Sequence, residues 1–228
     1  ICHKCLTPCP VNIDYGEVTM RMRRILVERG KKRGNPRVAA AMQFLNTNNP
    51  RAIHLLRKGL ADWGFKGINL ANAAAKGLGL TKGPTQRPGA STGKPNPVSQ
   101  VVELVSRPIA VELPKRSFRH ELALEDTTRV PILRDPAKVN EDSEAVFYFP
   151  GCGSERLFSD IGLATLAMLY EQGVQTVLPP GYLCCGYPQR AAGQEKRGQQ
   201  ITMENRVLFH RVANTLNYLD IRTVIVSC

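Results

Sequence analysis

Residues 145–186 read AVFYFPGCGSERLFSDIGLATLAMLYEQGVQTVLPPGYLCCG, and this stretch decides the fold. It opens on Ala145–Phe149, an apolar and aromatic run with β-propensity, stopped by Pro150-Gly151. From about Glu155 to Gln172, Leu157, Ile161, Ala164, Met168 and Leu169 recur at helical spacing, and Gly173 ends the run. Thr176–Leu178 reads as a second strand ahead of the cysteine pair. Further on, Glu195–Leu219 reads as a long helix and Thr223–Val226 as a third strand, leading into Ser227-Cys228. Strand, helix, strand, helix, strand predicts a parallel sheet joined by crossovers. In an open parallel sheet the carboxyl ends of the strands form the binding edge. Cys152, the pair Cys184 and Cys185, and Cys228 each follow a strand, so four cysteines far apart in sequence are expected on one edge.

Thirty-one residues separate Cys152 from Cys184, and forty-two separate Cys185 from Cys228. Two adjacent thiolates can bridge or cap several metal ions, and Gly186 after them lets the backbone pass close by. Soft thiolate ligands select iron–sulfur or zinc. Two blander readings stand beside this one. The thiols could be buried and inert, as many cysteines are, or Cys184 and Cys185 could form a strained, reducible disulfide.

The other cysteines open the chain, in ICHKCLTPCP. Cys2, Cys5 and Cys9 are spaced x2 and x3, with Pro10 following. They match the last three ligands and the proline of the [4Fe–4S] run C-x2-C-x2-C-x3-C-P, in which the cysteine before the proline serves the other of two clusters. On this reading Cys2 and Cys5 hold one [4Fe–4S] cluster and Cys9 a second. The first cysteine of the run is expected just ahead of Ile1, and the chain reads as a fragment whose two ends fall inside motifs. A zinc site would need a second C-x2-C or H-x3–5-H nearby, and the sequence shows none.

Between the two cysteine groups the first 80 residues read as helical, over about 14–29, 36–46, 50–63 and 68–78. Val18, Met22, Ile25 and Leu26 form an apolar stripe on the first helix, expected to be core. Residues 81–97, TKGPTQRPGASTGKPNP, hold four prolines and three glycines and read as a linker. Pro108, Pro114, Pro131 and Pro136 confine 98–143 to short pieces of an extended connection. The expected organisation is therefore a helical ferredoxin-type [4Fe–4S] domain over 1–80, truncated at its start; a linker and extended connection over 81–143; and an α/β cysteine-rich domain over 144–228, truncated at its end.

The 31 Lys and Arg residues exceed the 19 acids, for a formal charge of +12, with basic residues concentrated from Arg21 to Arg37. Aromatic residues are only 6% and none interleaves with the basic run, which argues against a single-strand stacking platform. The basic run reads first as a solvated helix face followed by a basic loop; contact with nucleic acid or an anionic membrane surface, and attraction of an acidic redox partner or anionic substrate, are the other readings. No apolar run reaches the ~18 residues of a membrane span, no Gly-rich dinucleotide fingerprint is present, and no Ser–His–Asp or paired-carboxylate arrangement stands out.

The segment from Phe149 through CCG at Cys184–Gly186 resembles the cysteine-rich CCG domain found in one subunit of heterodisulfide reductase and in the iron–sulfur subunits of glycolate, lactate and glycerol-3-phosphate oxidoreductases. That pattern runs lone Cys, CCG, then C-x2-C, and Cys152, Cys184, Cys185 and Cys228 match it; the second gap is slightly long. The order of ferredoxin-type loop, helical part, linker and CCG domain also resembles the family. The resemblance implies an electron-transfer module that passes electrons from a flavin to an acceptor, a quinone or other carrier. FAD would sit on another domain or subunit, and a 2-hydroxy acid such as lactate or glycolate would be the reductant. The CCG site would hold a noncubane [4Fe–4S] cluster or zinc. A cytoplasmic location, free or peripheral at the inner face of the membrane, is implied as well, with no nucleic-acid partner. Two alternatives remain open: a thiol–disulfide redox module of the heterodisulfide reductase kind, and a zinc-stabilised basic module that binds nucleic acid.

Overall fold

A computed structural model describes residues 6–32, 36–79, 108–110, 112–140 and 142–227. The expectations placed on Cys2, Cys5, Cys228, the 81–97 linker and the 98–107 part of the connection lie outside the described residues. The chain divides into two compact units, each assembled from three separate stretches. One comprises Ile1–Met42, Gly67–Ile109 and Cys185–Met203; the other comprises Gln43–Lys66, Ala110–Cys184 and Glu204–Cys228. As the sequence predicts, a helical amino-terminal region precedes a mixed α/β region. No helix among the described residues is long and apolar enough to cross a membrane.

In the first unit, α1 (Tyr15–Glu28) begins at Asp14, whose carboxylate accepts the amides of Gly16 at 2.8 Å and Glu17 at 3.3 Å. This cap satisfies two of the orphan donors of the first turn. The apolar stripe expected to be core is not buried: Val18, Met22 and Ile25 are exposed, and only Leu26 is half-buried. The helix docks instead through its backbone and basic groups. Arg23 donates to the Ala191 carbonyl at 2.8 Å, Lys32 donates to that of Ala192, and Gly193, at φ +88°, packs against the Arg23 carbonyl. A Cβ on Gly193 would lie 2.8 Å from that oxygen, so the close approach needs glycine.

Helix α2 (Pro36–Asn46) is followed by α3 (Pro50–Lys58), a π-helical turn (Gly59–Gly64) and α4 (Phe65–Gly77). The expected break between residues 63 and 68 is absent: the π-helical turn, ending at Gly64, runs directly into α4, which holds Gly67 inside it. Asn49 caps α3 through the amides of Arg51 and Ala52, with Pro50 in the first turn where a missing N–H costs nothing.

The second unit is built on a four-stranded sheet in the order β1-β3-β2-β4. The strands are β1 (Ile132–Leu133), β2 (Ala145–Phe149), β3 (Gln175–Val177) and β4 (Thr223–Val226). β2 is central, buried along its whole length, and parallel to both β3 and β4. β1, within the stretch read as an extended connection, adds an antiparallel edge by pairing Ile132 with Val177 and Leu133 with Thr176. Short helices α5 (Phe118–Glu121) and α6 (Gly151–Arg156) precede α7 (Ser159–Glu171). Beyond the cysteine pair lie α8 (Tyr187–Ala191) and α9 (Glu195–Thr215).

The core of this unit joins Phe118, Tyr148, Leu166 and Leu178. A second cluster joins Phe44, Ile53 and Tyr182. The helix expected over 155–172 is interrupted at Leu157–Phe158, which resets its phase. Ile161 and Met168, expected inside, are 49% and 68% exposed, while Gly162 and Leu166 face the core. Gly162 sits so close to the Phe118 ring that an added Cβ would lie 2.7 Å from its Cδ2 atom.

Candidate metal centre

Cys152 follows β2 by three residues and lies in the first turn of α6; Cys184 follows β3 by seven. Both belong to the second unit, both are buried, at 6% and 5% exposure, and neither forms a disulfide. β4 ends beside the same turn. Ser227 donates its hydroxyl to the Pro150 carbonyl at 3.1 Å and lies 2.7 Å from the Tyr148 hydroxyl, and Ser154 donates to the Ser227 carbonyl at 3.0 Å. The residue next to Cys228 is thereby tied to the turn that bears Cys152. The end of β4 at Ser227 and the turn after β2 that bears Cys152 thus lie together at the carboxyl ends of these two parallel strands.

The loop into Cys184 is fixed by buried charge. Glu155 and Arg156, three and four residues beyond Cys152, hold the two sides of Leu183: Glu155 Oε2 accepts its amide at 3.2 Å, and Arg156 Nη1 donates to its carbonyl at 2.8 Å. Arg119 donates to Glu155 at 2.5 Å and to the Pro179 carbonyl at 2.8 Å. The guanidinium groups of Arg119 and Arg156 each lie 5.6 Å from the centre of the Tyr182 ring. Burial pushes the Glu155 carboxyl up from its ordinary pKa, against the pull of both arginines. Burial likewise raises the Tyr182 hydroxyl, which lies 2.8 Å from the Ser117 hydroxyl and donates to Glu125 at 3.0 Å. Asn205 donates to the Cys184 carbonyl at 2.7 Å. Cys184 is therefore presented by a backbone held on both sides. A cleft of about 690 Å³, lined by Asn48, Arg51, Glu125, Thr127, Tyr182 and Leu183, lies along this loop.

Cys185 and Gly186 belong to the first unit. Cys185 is half-buried, in no disulfide, and its carbonyl accepts the Thr202 hydroxyl at 3.3 Å. Gly186 has φ +84°, and an added Cβ would lie 2.5 Å from the Gly198 carbonyl oxygen of α9. The glycine of the CCG triplet is thus required twice, by its backbone angle and by the helix pressed against it. In the same unit Cys9 sits in consecutive turns, with its amide bonded to the Leu6 carbonyl at 3.2 Å and its own carbonyl to the Asn12 amide at 3.1 Å. Its sulfur accepts the Ile13 amide at 3.3 Å.

Among the described residues no three His, Cys, Asp or Glu side chains come together as a metal cage. Cys2, Cys5 and Cys228, needed to complete either set, lie outside those residues. The donors present at the sheet edge are buried thiols, which suit a thiophilic metal and not a hard cation. Sequence reasoning missed the buried polar framework of Arg119, Glu155, Arg156 and Ser227. The one available signal was the charged Glu155-Arg156 pair placed between Cys152 and an apolar helix. His54 and His120 have ring centres 5.2 Å apart, and His120 lies 3.2 Å from Glu125.

Residues 146–228 match the family model of the cysteine-rich CCG domain. A probable glycolate oxidase iron-sulfur subunit of Bacillus subtilis is 23% identical over 212 residues, 91% of this chain and 41% of that protein. An uncharacterized iron-sulfur protein of Methanococcus maripaludis is 26% identical over 104 residues, 46% of this chain and 20% of the relative. A subunit of the fumarate reductase (CoM/CoB) of Methanothermobacter marburgensis is 34% identical over 59 residues, 26% of this chain and 12% of the relative. The chain thus spans less than half the length of each of these relatives. No solved structure matches it. The chain carries a cysteine-rich CCG domain over 146–228 and is distantly similar to iron–sulfur subunits of redox enzymes.

Proposed function

We propose that this chain is an iron–sulfur electron-transfer module of a larger oxidoreductase, one whose flavin, on another domain or subunit, oxidises a 2-hydroxy acid of the glycolate or lactate type. The observation that carries the reading is the placement of Cys152 and Cys184, both buried, beyond the carboxyl ends of adjacent parallel strands in a matched CCG domain. Similarity over 91% of the chain to a probable glycolate oxidase iron-sulfur subunit supports the substrate class.

In this reading Cys152, Cys184, Cys185 and Cys228 hold the CCG-site metal, an iron–sulfur cluster or zinc, and Cys2, Cys5 and Cys9 are ligands of ferredoxin-type [4Fe–4S] clusters. Such clusters supply one-electron transfer when bound. The protein's part is to hold the thiols apart from water and in place. Asn205, Glu155 and Arg156 fix the backbone into Cys184, the Ser227 bonds fix the end of β4, and Gly186 allows the backbone to pass α9. The electron acceptor is a quinone or other carrier.

The test is metal analysis of the full chain purified without oxygen: iron, acid-labile sulfide and zinc per chain, with EPR spectra of reduced and oxidised samples. Iron and sulfide in equal amounts with a signal on reduction are expected. Zinc without sulfide would remove the electron-transfer reading and leave a structural metal. A second reading, thiol–disulfide redox chemistry at the CCG site, draws on the similarity to the fumarate reductase (CoM/CoB) subunit. A signal that appears only in the oxidised sample, and changes when a thiol is added, would favour it.

A further inference from the structure

Arg156 is fully buried, and among the described residues no carboxylate forms an ion pair with it. Its two Nη groups donate to the carbonyls of Leu183 and Thr47, at 2.8 and 3.1 Å, and its Nε has no hydrogen-bond partner among the described residues. The nearby acid, Glu155, is already paired with the equally buried Arg119 at 2.5 Å. Arg119, Glu155 and Arg156 together therefore bury two guanidinium charges against one carboxylate. Burying a charge without a counter-charge costs several kcal/mol, and carbonyl dipoles offset only part of that cost. The excess charge lies four residues along from Cys152, and its guanidinium grips the carbonyl of the residue directly before Cys184.

We propose that Arg156 is the buried counter-charge of the anionic thiolate–metal centre to which Cys152 and Cys184 contribute their buried thiolates. The inference rests on the function proposed above. Three or more thiolates around Zn2+ or a [4Fe–4S]2+ core carry net negative charge, as the four cysteines of the proposed site would, and a buried guanidinium within the unit of Cys152 and Cys184 stabilises that charge where water cannot screen it. Arg156 acts here as a positioning and electrostatic residue, through the Leu183 carbonyl and its own field, without being a ligand.

The experiment compares Arg156→Met, Arg156→Lys and Glu155→Gln in the full chain, prepared without oxygen. It measures the chelator concentration that strips half of the metal and, where iron is bound, the midpoint potential by EPR-monitored titration. Arg156→Met removes the charge at similar volume and is expected to lower resistance to chelator at least tenfold. For iron it should also shift the oxidised-to-reduced balance about tenfold toward oxidised, ~59 mV for one electron. Arg156→Lys keeps the charge and is expected to stay near the parent. Glu155→Gln removes the acidic charge, keeps an acceptor for the Leu183 amide, and is expected to shift both readings in the opposite direction. A role in packing alone would make all three variants looser, and that pattern overturns the proposal. Should Arg156→Met fail to fold, Arg156→Gln, which removes the charge and keeps a donor for the Leu183 carbonyl, decides: weaker retention than in Arg156→Lys supports the counter-charge, and retention equal to that of Arg156→Lys overturns it. A parent chain that takes up no metal overturns the proposed function and this inference together. Metal in the parent with the wrong order of variants overturns the inference alone.

Discussion

At the scale of single residues, Gly186 shows how a motif letter acquires a physical reason. Its φ of +84° lies in the left-handed region, and the Gly198 carbonyl stands 2.5 Å from where a Cβ would be. Gly186→Ala therefore meets both backbone strain and a collision with main chain that cannot swing aside, and a loss of about 2–4 kcal/mol is expected. Gly153, directly after Cys152, has ordinary φ and nothing within 4 Å of its missing Cβ. Gly153→Ala should be within about 1 kcal/mol of the parent and on the stabilising side, because alanine favours the helix. Urea unfolding of the two variants checks the contrast, and equal effects would remove the argument. The triplet itself was legible in the sequence, as were the cysteines on either side. The partner that makes the glycine necessary was not, because Gly198 is a small residue in a polar helix and leaves no trace in hydrophobic periodicity. Arg119 and Arg156 were invisible for a related reason: charged residues read as solvent-facing until packing shows them enclosed.

Among the elements, β2, β3, β4 and the long helix α9 were legible because each is a run of one periodicity with clear ends. The inward face of α7 was not. Hydrophobic spacing counts from Leu157, but the helix restarts at Ser159, and the closest contact to the core is made by Gly162, which has no side chain to count. β1 was missed because two residues at a sheet edge carry too little pattern to separate from an extended loop. The corrected phase makes a direct prediction. Gly162→Ala pushes a methyl group toward a fully buried Phe118 ring, and the overlap outweighs the gain in helix propensity, so a loss of about 1–3 kcal/mol is expected. Met168→Ala, on the face that the spacing from Leu157 would bury, should change stability by no more than about 0.5 kcal/mol. Denaturant midpoints of the two variants measure it. A costly Met168→Ala beside a harmless Gly162→Ala would restore the face read from spacing.

For the molecule as a whole, chain order and compact units do not coincide. The sheet-bearing unit draws Gln43–Lys66 from the helical amino-terminal region as well as Ala110–Cys184 and Glu204–Cys228. That early stretch supplies Phe44 and Ile53, both buried against Tyr182, the Thr47 carbonyl that Arg156 holds, and Arg57, which donates to the carbonyls of Leu157, Arg156 and Pro114. The sequence could not reveal this, since a segment of helix looks the same whether it packs on its neighbours or on strands a hundred residues away. Losing a buried phenylalanine and a buried isoleucine costs roughly 5 kcal/mol or more together, which is the size of a whole domain's net stability. A fragment starting at residue 110 lacks them, and Arg156 in it lacks the Thr47 carbonyl. Such a fragment is expected to show no cooperative urea transition, whereas one starting at residue 43 should unfold in a single step by circular dichroism. Were the fragment from 110 to unfold cooperatively at the midpoint of the longer one, residues 43–66 would be a surface attachment and not part of the core that presents Cys184.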